Sequence, residues 1–115
     1  MNDQVNRRPR RWPRHRLDVP IRVIIHSATK TSIFPGRGNE LNEGGMALTA
    51  GVELNPGEEA EIEFTPPYSG SPIRIRVIVR NRTGYQYGIE FLAGSGQEVE
   101  QVDHMRSMLR IMSSA

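Results

Sequence analysis

Residues 73–80 read IRIRVIVR, and residues 58–64 read EEAEIEF. In the first, Ile73, Ile75, Val77 and Val79 share one face while Arg74, Arg76 and Arg80 share the other. In the second, Ala60, Ile62 and Phe64 alternate with Glu59, Glu61 and Glu63. A period of two is the signature of a strand with one buried face. If the two strands pair, the glutamate row meets the arginine row, and each opposite-charge pair contributes about 0.2–1 kcal/mol. The sequence between them, TPPYSGSP at 65–72, is too rich in proline and glycine for regular structure.

The same alternation extends in both directions. In DVPIRVIIHS (18–27), Val19, Ile21, Val23 and Ile25 fall on one face, with Arg22 and His26 opposite. SIFPGRGNEL (32–41) leads through NEGG to MALTA (46–50), two short segments about a tight turn in which Gly44 or Gly45 can take positive φ. LNPG (54–57) and Thr83-Gly84 mark further turns, and YQYGIEFL (85–92) is the last strand. Ser95 and Glu98 then have the spacing of a capping box. Val99, Val102, Met105, Leu109 and Met112 follow at helical steps as an amphipathic stripe, its methionines serving as core filler. Five or six antiparallel strands and a terminal helix point to a small barrel.

Length and composition set bounds. The 115 residues suffice for a single domain with a modest core. There is no cysteine, which excludes disulfides and thiolate chemistry and makes a reducing, cytoplasmic setting the expectation. No apolar run approaches the roughly 20 residues of a membrane span, and no secretory signal is evident at the N-terminus.

No catalytic role is expected. His15, His26 and His104 lack metal-ligand spacing, and neither nucleophile elbow nor phosphate-cradling glycine loop is present. Glu40 and Glu43 beside a glycine turn read as a solvated loop, and His26 as a structural residue.

Charge is unevenly distributed. The net charge is +2, yet residues 1–22 hold seven arginines against Asp3 and Asp18, leaving the remaining chain net negative. The segment RRPRRWPRHRLDVP (7–20) contains six arginines and no lysine. A basic arm on an acidic body suggests an anionic partner. Guanidinium forks onto phosphate or the O6/N7 edge of guanine and stacks on purines, which lysine cannot do. Pro9 and Pro13 restrict the arm and lower the entropy of ordering it, while Trp12 adds an apolar face.

Four pieces in order resemble the PilZ domain family over about residues 8–93. Arg10 and Arg14, followed by HRLDVPIRV, are similar to its R-x-x-x-R arm. ELNEGGMAL stands where the family carries a D/N-x-S-x-x-G turn, and LNPGEEAEIEF and YQYGIEF resemble later strands. The resemblance implies a six-stranded antiparallel barrel with a C-terminal helix: a flexible tail at 1–7, a barrel domain at 8–94 including the arm at 8–17, and the helix at 95–115.

It further implies a receptor for the bacterial second messenger cyclic di-GMP. Arg10 and Arg14 would engage phosphate and guanine, Glu40 would stand at the acceptor position for the guanine amine, Asn42 at the serine position and Gly45 at the glycine. Arg11 and Gly88 are further candidates. The turn departs from the family pattern at two of its three positions, with Glu40 longer than aspartate and Asn42 bulkier than serine.

The arm is expected to order on binding and to signal to an unknown downstream protein. Two alternatives stay open: a protein-interaction module that does not bind nucleotide, and a nucleic-acid-binding arm. Against the second stand the acidic body and the absence of an aromatic platform.

Overall fold

Six strands form in this chain: β1 (His15–His26), β2 (Thr31–Leu41), β3 (Gly45–Ala50), β4 (Glu59–Phe64), β5 (Ile73–Thr83) and β6 (Gln86–Leu92). They close into an antiparallel barrel in the order β1-β2-β3-β6-β5-β4. The computed structural model describes residues 15–42, 44–66, 71–92, 94, 99–104 and 107. Arg10, Arg11 and Arg14 lie outside these residues, as do Ser95, Glu98, Met105, Leu109 and Met112 of the proposed cap and stripe.

The alternation seen in the sequence is the alternation of the barrel wall. Ile21 and Val23 of β1, Ala60, Ile62 and Phe64 of β4, and Ile75, Val77 and Val79 of β5 all enter one buried cluster. Full burial of each larger aliphatic side chain contributes about 1.5–3 kcal/mol. The two charged strands do pair, setting Glu61 opposite Arg76 and Glu63 opposite Arg74. The short polar contacts of these glutamates, however, reach to β1. Arg22 Nη2 lies 3.0 Å from Glu63, and His26 Nε2 lies 2.6 Å from Glu61, whereas Arg74 Nε is 4.0 Å from Glu61. His26 Nδ1 also meets Thr31 Oγ1 at 3.0 Å, tying the ends of β1 and β2 together.

Three expectations are corrected. SIFPGRGNEL belongs to a single 11-residue strand. Its Pro35 is tolerated because β2 pairs with β3 only from Gly36 onward, so the missing N–H faces an unpaired edge. Second, positive φ is found at Gly57 (94°) and Gly84 (61°), and Gly45 does not take it. Third, Val99 is 39% exposed, whereas Val102 is completely buried in the core. Helical residues 99–104 therefore seal the core through Val102.

The connection from β3 to β4 spans the barrel. In the closed order these strands stand three places apart by either route, so residues 51–58 cross one end of it. Leu54 plugs that end, 4% exposed. Tyr87, 2% exposed, fastens the crossing: its hydroxyl donates to the Val52 carbonyl (2.5 Å) and accepts from the Leu54 N–H (3.1 Å). Arg82 reinforces it, with Nη1 donating to Asn55 Oδ1 at 3.2 Å and the guanidinium 5.8 Å from the Tyr87 ring centre.

Candidate functional site

Ladder register draws one row of residues across five strands. Arg16 on β1 faces Glu40 on β2, Glu40 faces Ala47 on β3, Ala47 faces Gly88 on β6, and Gly88 faces Asn81 on β5. Neighbouring strands are about 4.8 Å apart, so the row wraps a broad part of the outer wall. Its middle members are the smallest residues available, and the wall sinks there into a groove of about 1040 Å³. Arg16, Glu40, Asn42, Gly45 and Gly88 all line it.

Every register irregularity of the barrel falls beside this row. β1 carries one extra residue between Arg16 and Val19, β2 carries Asn39 between Gly38 and Glu40, and β5 carries Arg80 between Val79 and Asn81. Such bulges bend a strand and re-aim side chains. Here two of the extra residues, Asn39 and Arg80, line the groove. Asn39 Nδ2 donates to Thr49 Oγ1 at 2.9 Å, and Arg80 Nε donates to Glu90 Oε1 at 2.6 Å.

Asn42 builds the turn at the head of the groove. Its Oδ1 accepts from the Gly44 N–H at 2.7 Å and the Gly45 N–H at 2.9 Å, and its own N–H donates to the Gly45 carbonyl at 3.0 Å. A short side chain that replaces a backbone acceptor stabilises a turn without positive φ. Gly45 accordingly does without it. With Oδ1 committed to the backbone, the amide presents Nδ2, a donor, away from the turn.

The two glycines of the groove are required by close approach. A Cβ on Gly45 would overlap the carbonyl oxygen of Ile89. A Cβ on Gly88 would lie 2.7 Å from the side-chain oxygen and nitrogen of Asn81. Gly45 thus lets β3 and β6 meet, and Gly88 makes room for an amide on the groove floor.

The groove is polar and mixed in charge. Arg16 is exposed and, among the described residues, has no ion pair; Arg80 and Glu90 are a half-exposed pair. Among the described residues no group of histidine and carboxylate side chains could hold a metal ion, and no helix is long and apolar enough to cross a membrane.

Of the expected site residues, Glu40, Asn42, Gly45 and Gly88 come together in this one groove. Sequence reasoning missed Arg16, Asn39, Arg80, Asn81 and Glu90. One signal was available: Ala47 and Gly88 are small residues at outward positions of strands that become neighbours.

The model of the PilZ domain matches residues 7–106. The chain belongs to the PilZ domain family. No match is found among the curated proteins. Solved PilZ structures share the fold. The PilZ domain of CeSA from a cellulose-synthesizing bacterium matches with a TM-score of 0.65 at 16% identity, covering 85% of this chain and 98% of that one. The PilZ domain of YcgR from Escherichia coli, solved with c-di-GMP, gives 0.62 at 16%, covering 92% and 95%. MrkH from K. pneumonia, in complex with c-di-GMP, gives 0.61 at 19%, covering 93% of this chain and 55% of that one.

Proposed function

We propose that this PilZ domain is a non-catalytic, cytoplasmic receptor for cyclic di-GMP, which it binds through the N-terminal Arg-x-x-x-Arg arm and the 40–45 turn. One observation carries the reading. β1 begins at His15, whose backbone faces Leu41, the residue immediately before Asn42. Arg14, the second arginine of the R-x-x-x-R pair, is the residue that precedes His15 in the chain. Four residues of chain reach at most about 14 Å, so Arg10 and Arg14 are separated by no more than that. The binding of c-di-GMP by the PilZ domain of YcgR and by MrkH supports the same ligand.

The roles follow from donor and acceptor chemistry. Arg10 and Arg14 fork onto phosphate oxygens and the O6/N7 edge of guanine, and their planes stack on the purine. The Glu40 carboxylate accepts from the N1–H and exocyclic amine of a guanine. Asn42 donates through Nδ2 while its Oδ1 holds the turn. Arg11 adds charge to the arm. The phosphates neutralise the arm and order it, and the ordered arm is the surface that a downstream protein reads.

Calorimetric titration of the full chain with cyclic di-GMP, with GMP and a short DNA as controls, tests this. Saturable binding of the cyclic dinucleotide alone is expected. Binding of DNA instead would support the nucleic-acid arm, and no binding of any of them would leave a protein-interaction module.

A further inference from the structure

We infer that Arg80 is a phosphate-binding residue of the groove, and that Glu90 is its internal counter-ion, displaced when an anionic ligand arrives. The inference rests on the ligand reading above and adds a residue that lies in neither the arm nor the turn.

Arg80 owes its position to the β5 bulge. Val79 pairs with Ile89 and Asn81 with Gly88, so Arg80 has no partner of its own in the β5–β6 ladder. A bulged residue is free of the strict alternation of its strand, and Arg80 lines the groove. Glu90 pairs with Gly45, the last residue of the Asn42 turn, and lines the same groove. The two side chains meet at 2.6 Å, with about half of each exposed.

A carboxylate beside the turn is adverse for a ligand with two phosphodiester charges unless a cation compensates it. Arg80 supplies that cation and holds it at the groove wall before the ligand comes. Exposed ion pairs contribute little, so exchanging Glu90 for phosphate costs little. The gain is a forked, charge-assisted contact to phosphate, stronger than the one given up. The pair therefore keeps a phosphate-ready guanidinium in place while the groove is open to water.

Titration of the full chain and its variants with cyclic di-GMP tests this, with circular dichroism melts as the folding control. Arg80→Ala should weaken binding by about tenfold, or about 1.4 kcal/mol, and Arg80→Lys by less. Glu90→Gln should tighten it by about two- to fivefold, the range expected when an exposed ion pair no longer competes. Adding Glu90→Gln to Arg80→Ala should restore part of the loss, because an uncompensated carboxylate accounts for some of it. Unchanged affinity in Arg80→Ala, or weaker binding in Glu90→Gln, would overturn the inference while leaving the receptor reading intact. Failure of the unaltered chain to bind would overturn both.

Discussion

Gly45 and Ile89 stand so close across the β3–β6 ladder that a single added methyl on residue 45 would overlap the Ile89 carbonyl. The obstacle is backbone, which cannot rotate away. Gly45→Ala should therefore destabilise the barrel by about 1–3 kcal/mol or more, read as a lower denaturation midpoint. Gly88→Ala should cost less, since the obstructing group is the Asn81 side chain, which can turn aside. Equal midpoints for Gly45→Ala and the unaltered chain would contradict this geometry. A binding loss in Gly45→Ala would accordingly report on the fold before it reported on any ligand contact.

Tyr87 acts on the far end of the barrel. Its hydroxyl serves the Val52 carbonyl and the Leu54 N–H, two backbone groups of the crossing that seals the core. Tyr87→Phe preserves the ring and leaves both groups without that partner, so a loss of about 1–3 kcal/mol is expected. Amide exchange at Leu54 should quicken more than exchange in β1, because the fastening is local. Uniform change across both would assign Tyr87 to general packing.

How far the sequence foretold this molecule depended on the kind of regularity involved. Alternation in IRIRVIVR and EEAEIEF reports burial directly, so the strands, their pairing and the barrel class were legible. The β5 bulge was not, because RVIVRNR carries no mark of which residue will be left out of the ladder; only the partner register decides that. Arg80 consequently read as one more arginine of a charged row. Val99 and Val102 show a related limit: both fit the helical stripe, yet only Val102 meets the core. Gly45 was picked out by motif, while its reason, the Ile89 carbonyl, lies 44 residues away along the chain.

Asn42 separates the two tasks of the turn. Asn42→Ala removes the acceptor of the Gly44 and Gly45 N–H groups and should cost about 0.5–2 kcal/mol, the range for losing a side-chain cap. Asn42→Asp keeps an acceptor oxygen but replaces the donor with negative charge at the head of the groove. Stability close to that of the unaltered chain is expected for Asn42→Asp, together with weaker cyclic di-GMP binding by about tenfold. Thermal melts and calorimetry on the pair decide it. Undiminished binding in Asn42→Asp would remove Nδ2 from the proposed contacts.

The arm is the sharpest test of how the ligand is held, because fork and charge can be changed separately. Arg10→Lys and Arg14→Lys preserve net charge and remove the planar fork and stacking surface. Arg7→Ala and Arg8→Ala do the reverse, deleting charge outside the R-x-x-x-R positions. If residues 10 and 14 grip guanine and phosphate, each lysine variant should lose cyclic di-GMP affinity by about tenfold or more, on the order of 1.4 kcal/mol. The Arg7 and Arg8 variants should lose less, and their loss should shrink as salt screens the field. Calorimetry at two ionic strengths compares the sets. Equal losses in both would mean that the ligand senses only the arm's charge, and the clamp would give way to general electrostatic attraction.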